Sequence, residues 1–210
     1  MQKKLLQWLE LCGLSATVEV FPPRTSFQFP NNKILFLISG TMHLETISNN
    51  KKIITYLNAQ YLLNLEHFLY GHATKYALIS DTSIRVILLS QKDFHLLIKE
   101  KPSFIEWLLT SNAEISAKMI TEFSKKHESP FYKIQDSLIT LAKANIIKPV
   151  LFMPEWLFLP KFITRTDLAN YCQVSRKTLQ LEIKKLQKRE SIKIENNQFF
   201  IHQSFFLKDT

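Results

Sequence analysis

Between Thr164 and Glu190 the chain reads TRTDLANYCQVSRKTLQLEIKKLQKRE, and the side chains of most chemical consequence in it are Arg176, Lys177, Gln180 and Lys184. Spaced by three and four residues, they share one face of a helix. Their donors suit guanine edges, adenine edges and phosphates. Thr166-Asp167 is placed to cap a first helix with apolar members Leu168, Ala169 and Tyr171 or Cys172. Ser175 is placed to cap a second, which carries Leu179, Ile183 and Leu186 on the face opposite the donors. Two capped helices meeting at Gln173-Val174-Ser175 form a helix-turn-helix, in which small Ala169 permits a close crossing and Val174 and Leu179 supply its apolar contacts. The positive end of the second helix adds attraction for a phosphate near Ser175 and Arg176. Such a face is built to enter a major groove.

Downstream, SIKIENNQFFIH alternates Ile192 and Ile194 with Phe199 and Ile201 about Asn196-Asn197, the pattern of a tight hairpin, so the unit extends to a winged helix. Residues 161–210 hold ten Lys or Arg against five Asp or Glu, placing more than half of the formal +9 charge in under a quarter of the chain. A run such as KKLQKR is, taken alone, ordinarily a solvated face. The capped pair before it and the hairpin after it favour double-stranded DNA, with Lys184, Lys185 and Lys188 adding mainly phosphate affinity.

The elements that must position this unit lie upstream. From Val18 to Ser90, short β-branched and aromatic runs (VEVF, TSFQF, KILFLI, TMHLETI, KKIITYL) alternate with turn residues at Pro22-Pro23, Pro30-Asn31-Asn32, Ser39-Gly40 and Ser48-Asn49-Asn50. That spacing predicts an antiparallel β-roll. Ahead of it, Leu5, Leu6, Trp8, Leu9 and Leu11 form a short amphipathic helix stopped by Gly13; Gln7 and Glu10 break the apolar run a signal peptide would need. At Gln91 the period becomes helical, first in KDFHLLIK. From Pro102-Ser103 a long helix carries Phe104, Leu108, Ile115, Met119 and Phe123 at three- and four-residue steps. At ~35 Å it exceeds what a small roll needs to cover one face, and a second copy of the chain is the simplest partner for the spare surface. Glu128-Ser129-Pro130 interrupts it, FYKIQDSLITLAKA resumes a helix through Ile134, Leu138, Leu141 and Ala142, and the proline-rich IIKPVLFMPEWLFLPKF reads as extended connection or edge strand. The expected fold is α+β: a β-roll over residues 1–101, a dimerisation helix over 102–128 and a winged helix-turn-helix over 129–210.

Two cysteines, Cys12 and Cys172, outside any CxxC spacing, argue against a disulfide scaffold, a zinc finger or a four-cysteine iron–sulfur site. No run approaches the roughly 18 apolar residues of a membrane span, so a cytoplasmic chain with no membrane partner is expected. A cupin-like metal centre would need converging ligands, whereas His43, His67 and His72 show no clustered spacing. No catalytic residue, metal or cofactor is assigned, and the chain is read as a non-enzyme. A protein-interaction adaptor with a vestigial winged helix is the rival from another class.

Taken together, roll, long helix and winged helix resemble the cyclic-AMP receptor and FNR (Crp/Fnr) family of bacterial transcription regulators along nearly the whole chain. The resemblance is carried by KILFLISGTMHLETI and KKIITYLNAQYLLNLEHF in the roll, by SLITLAKA, and most specifically by Val174-Ser175-Arg176-x-Thr178 and Leu186. It implies a homodimeric, sequence-specific regulator on a pseudo-palindromic site, touching DNA through Thr166, Ser175, Arg176, Lys177, Thr178, Gln180, Lys184, Lys185 and Lys188. Activation would also require a patch for RNA polymerase, which no motif locates. The family's cyclic-nucleotide members hold the ribose with Gly-Glu and the phosphate with Arg-Ser. The matching positions are Asn64-Leu65 and Lys75-Tyr76, where Leu65 offers no oxygen to a ribose and Lys75 lacks the bidentate fork. Cyclic AMP is therefore not the expected effector of this pocket; an unknown small molecule, or none, is. Haem ligation through His67 or His72 is not favoured, since isolated histidines on a roll are ordinarily polar or packing residues. Two further departures are Gln173, where many members have glycine in the turn, and Leu181, where the cyclic-AMP receptor branch places a second base-reading arginine. The retained roll without its nucleotide cassette is similar to the PrfA-type branch.

Overall fold

The computed structural model describes residues 2–14, 17–27, 33–48, 51–58, 61–65 and 76–206. They form two compact units, one of residues 1–47 and 55–121, the other of 48–54 and 122–210.

Two sheets make up the roll: β1 (Val18–Phe21), β3 (Lys33–Ser39), β6 (Leu62–Leu63) and β8 (Ile84–Ser90) form one in the order β1-β8-β3-β6, all in the first unit; β2 (Ser26–Phe27), β4 (Met42–Ser48), β5 (Lys51–Leu57) and β7 (Tyr76–Ser80) form the other in the order β2-β7-β4-β5, of which residues 48 and 51–54 are counted with the second unit. Strand β3 shows why KILFLI is apolar without interruption. Leu35 and Leu37 enter a cluster with Met42, Leu44, Leu78 and Val86 between the sheets, while Ile34, Phe36 and Ile38 enter a second cluster beneath helices. A strand buried on both faces needs no polar alternation. The expected corners at Pro30-Asn31-Asn32 and Asn49-Asn50 lie outside the described residues. The register of β3 shifts between Leu37 and Ser39, and at the corner Gly40 takes φ +96°; a Cβ there would sit 2.6 Å from the Ser83 carbonyl oxygen and 2.7 Å from Ile84 Cγ2.

Helix α1 (Gln2–Leu11) closes as the sequence predicts. Gly13 at φ +68° donates to the Glu10 carbonyl and Leu14 to Leu9, two bonds that satisfy the last carbonyls of the helix. Leu5 and Leu9 are buried, and Trp8 meets Phe104 edge-on with ring centres 5.9 Å apart. Helix α2 (Gln91–Glu100) starts with a reciprocal Ser90–Asp93 cap and buries Phe94 and Leu97. Helix α3 (Pro102–Ser124) is 23 residues long. Phe104, Trp107 and Leu108 join the helix-covered cluster, and Ile115 and Met119 pack on the inter-sheet one. The Lys118 ammonium donates to the Tyr61 hydroxyl and lies 4.5 Å from the Tyr61 ring centre, a tie between α3 and the β5–β6 connection.

In the second unit a 3₁₀ turn at 125–127 leads to Ser129, whose hydroxyl caps α4 (Pro130–Lys143) with Pro130 in the first turn. The proline-rich segment forms a hairpin of β9 (Lys148–Val150) and β10 (Met153–Phe158), with Pro149 in the outermost strand and Pro154 where the register shifts, the two places a missing N–H is tolerated. Helices α5 (Arg165–Tyr171) and α6 (Arg176–Lys188) follow, then β11 (Ile192–Glu195) and β12 (Gln198–His202), and the sheet runs β11-β12-β10-β9. Ile134, Leu138 and Leu141 of α4, Leu168 and Ala169 of α5, Leu179, Ile183 and Leu186 of α6, and Ile192, Phe199 and Ile201 of the hairpin are all buried.

The two left-handed glycines among the described residues, Gly13 and Gly40, should separate in an unfolding experiment. Nothing lies within 4 Å of a Cβ at Gly13, whereas Gly40 faces backbone. Gly13→Ala should cost about 1 kcal/mol and Gly40→Ala about 2–4 kcal/mol, measured by denaturant unfolding. Equal losses would show that the β3–β4 corner accommodates a side chain.

Candidate nucleic-acid interface

The first helix of the pair begins earlier than its Thr166-Asp167 signature suggests. Its cap is Thr164, whose hydroxyl accepts from Asp167 N at 3.1 Å while Thr164 N donates to Asp167 Oδ2 at 3.2 Å. Asp167 is thus the reciprocal partner three residues into the helix, and Thr166 lies inside the first turn. At the other end Gln173 N donates to Asn170 O and Val174 N to Ala169 O, both at 3.0 Å, with Gln173 at φ +54°. That closure favours glycine, and a side chain there costs roughly 1 kcal/mol or more. The Gln173 amide is put to use: its Nε2 donates to the Glu122 carbonyl oxygen, in the last turn of α3, where helix carbonyls lack intrahelical partners.

Ser175 caps α6 as the sequence predicts, its hydroxyl accepting from Thr178 N at 3.0 Å and lying 2.7 Å from the Thr178 hydroxyl. With Leu179, Ile183 and Leu186 turned inward, Arg176, Lys177, Gln180, Lys184, Lys185 and Lys188 are all exposed. They are not equivalent. Lys185 Nζ is 2.7 Å from Glu182 Oε1, so its charge is already paired within the helix. Arg176, Gln180, Lys184 and Gln187 line a groove of about 530 Å³ together with Arg165 and Thr166 and the apolar Leu179, Ile183, Ile194 and Phe199. The wing that closes the groove turns through Asn196 and Asn197 at φ +49° and +63°, as a two-residue hairpin requires. Arg165 holds it: Nη2 donates to Asn197 Oδ1 at 3.2 Å, and the guanidinium lies 5.5 Å from the Phe199 ring centre. Nothing local in the sequence marks Arg165, because its partners are some thirty residues away.

Beneath the pair is a buried polar network that the sequence does not reveal. Lys125 and Glu122 are each only 3% exposed. The Lys125 ammonium donates to both Glu122 oxygens at 2.9 Å and to Ser137 Oγ at 3.1 Å, lies 3.3 Å from Asp136 Oδ2, and stands 4.7 Å from the Tyr171 ring centre. Burial pushes the Glu122 carboxyl above its usual range against the pull of Lys125, and the Tyr171 hydroxyl donates to it. Burial likewise raises the Tyr171 hydroxyl well above its ordinary value. It also pushes the wholly buried Cys172 thiol up to about 12, so this cysteine is inert.

In the roll, Asn64 is buried at φ +71° and its amide donates to the Lys33 carbonyl at 2.9 Å. Leu65 packs on the helix-covered cluster and Tyr76 on the inter-sheet one, so these two side chains join different clusters. Lys75, His67 and His72 lie outside the described residues. His43 Nδ1 is 2.8 Å from Asp81 Oδ1 and Nε2 3.3 Å from Glu45 Oε2. Burial would lower its pKa, but these two carboxylates together raise it. Among the described residues no group of three or more His, Cys, Asp or Glu is placed to hold a metal ion, and no helix is long and apolar enough to cross a membrane.

No family profile matches the chain, and no curated protein matches it by sequence. Solved structures do. A cyclic nucleotide-binding domain containing protein from Listeria monocytogenes EGD-e matches over 96% of this chain and 98% of its own, with a TM-score of 0.77 at 18% identity. The c-di-GMP responsive global regulator CLP of Xanthomonas campestris matches over 94% and 99%, with a TM-score of 0.75 at 15% identity. A CRP/FNR family transcriptional regulator from Thermus thermophilus matches over 92% and 100%, with a TM-score of 0.72 at 12% identity. At these identities the likeness is one of fold.

The buried ammonium gives the second unit a measurable dependence on a single charge. Lys125→Met should cost about 3–5 kcal/mol of its stability, because Glu122 is then left buried without a counter-charge. The double replacement Glu122→Gln with Lys125→Met should recover a large part of the loss. A single replacement costing under about 1 kcal/mol in a denaturant titration would show that the pair ties nothing down.

Proposed function

We propose that this chain, whose fold is that of the Crp/Fnr regulators, is a cytoplasmic, homodimeric, sequence-specific DNA-binding transcription regulator. In this reading residues 1–101 form a sensor roll, 102–128 the dimerisation helix and 129–210 the DNA-binding unit. The observation that carries it is α6: a capped helix whose outward face is dominated by cationic and amide side chains, with a wing held beside it by Arg165. Arg176, Lys177 and Gln180 read bases. Lys184 and Lys188 meet phosphates; Lys185 does so only on leaving Glu182; and the hydroxyls of Thr166, Ser175 and Thr178 suit the backbone.

Dimerisation is supported by α3. Opposite its packed residues it exposes Ile105, Leu109 at 65% and Ile120 at 67%, with small Ala113, Ser116 and Ala117 between them. Three large apolar residues along one helical stripe suit the same stripe on a second copy. Two recognition helices would then address half-sites about one duplex turn, ~34 Å, apart. The roll is read as answering a ligand other than cyclic AMP, or none, because Leu65 is apolar and packed and the Asn64 amide is engaged by backbone. If the chain activates, RNA polymerase is a further partner.

Selection of bound duplexes from a random pool, with and without cell extract, tests the reading: an inverted repeat with the stated spacing is expected, and the extract arm reports any effector. Absence of salt-sensitive duplex binding would instead favour an adaptor. Arg176→Ala should lose about 1–3 kcal/mol of discrimination at one base position, whereas equal loss on selected and random duplexes would remove it from base reading. Lys188→Ala should weaken both duplexes alike and reduce the salt slope by about one; an unchanged slope places it away from phosphate. Leu109→Glu should yield monomers by sedimentation and weaken binding to the full repeat far more than to a half-site, and a dimer that persists would move the interface elsewhere.

A further inference from the structure

A single exposed leucine on a protein surface is ordinary. Leu181 is not simply exposed, at 52%; with Lys188 it is one of the two residues of α6 aimed most directly away from the core. At ~100° per residue its direction lies roughly 170° from the mean direction of the buried Leu179, Ile183 and Leu186. Its neighbours on the helix surface, four residues before and three and four after, are Lys177, Lys184 and Lys185, all exposed. The apolar tip therefore stands within a ring of three lysines and Thr178, one of the lysines, Lys185, being held by Glu182. A polyanion drawn to that ring brings its interior, rather than its phosphates, against Leu181. The interior of a DNA major groove offers one apolar feature, the 5-methyl group of thymine; the other base-edge groups there are hydrogen-bond donors and acceptors.

We propose that Leu181 is a specificity-determining residue that reads a thymine 5-methyl group in each half-site. The proposal rests on α6 being the groove-entering helix. Contact with the methyl removes about one methyl group of apolar surface from water, and a leucine cannot satisfy the donors and acceptors it would cover at a G·C pair. Leu181 thereby selects A·T at its position both by what it gains there and by what it blocks elsewhere.

Deoxyuridine pairs as thymidine does but lacks the 5-methyl group, so replacing thymidines one at a time in a selected duplex isolates the contact. The full-length protein should lose about three- to fivefold in affinity at one thymine per half-site and little at the others. Leu181→Ala, a change at an exposed position, should bind the thymidine duplex about as weakly as the wild type binds the uridine one, and should no longer distinguish the two. Sequence-selective binding with no methyl-sensitive thymine overturns the proposal while leaving the regulator reading intact. So does a Leu181→Ala protein that keeps the full methyl sensitivity, or one whose sedimentation changes while its methyl sensitivity does not, which would assign Leu181 to a protein contact. Loss of all salt-sensitive duplex binding by the wild type would sink the regulator reading and this inference together.

Discussion

An ammonium group withdrawn from water must be surrounded by compensating oxygens, and Lys125 obeys that constraint with Glu122, Asp136 and Ser137 together. These oxygens come from the end of one helix and the middle of another, and Tyr171 of the helix-turn-helix closes over the cluster. A hydrophobic cluster of equal volume would tolerate sliding; an ion cluster with directed hydrogen bonds accepts one register. The raised Glu122 carboxyl shows that this register is kept against a desolvation cost. Gln173 follows from the same arrangement. Its left-handed backbone is unfavourable for a side chain, yet that side chain reaches the Glu122 carbonyl, so turn and network hold each other.

How legible each feature was depends on how far its cause extends along the chain. The hairpin at Asn196-Asn197, the cap at Ser175 and the stop at Gly13 are local: one or two residues decide them, and the structure has them where the periodicity and turn chemistry place them. The start of α5 was displaced by two residues because Asp167 can be read either as a cap or as the partner of a cap, and only the chain direction at Thr164 settles which. The prolines of residues 148–160 were legible as interruptions of helix but not as a hairpin, since strand pairing is a property of two segments. Lys125 was illegible. Within SKKHES it looks like any solvated lysine, and nothing in its neighbours announces Ser137 and Tyr171.

The same distinction runs through the cationic face. By type and spacing Lys184, Lys185 and Lys188 are equivalent phosphate contacts, whereas the fold pairs Lys185 with Glu182 and draws Lys184 into the groove beside Arg176 and Gln180. Arg165, which the sequence counts only as one more charge, is fixed by Asn197 and Phe199 and joins the two halves of the groove. Charge totals locate a face; partners decide which charges on it are available.

The thiol inventory carries a practical corollary. Cys172 has no accessible surface and is held in its unreactive form, which leaves half-buried Cys12, just after the amino-terminal helix, as the more accessible of the two thiols. A fluorophore or spin label attached to the unaltered protein at Cys12 would follow the helix-covered cluster on which that residue packs.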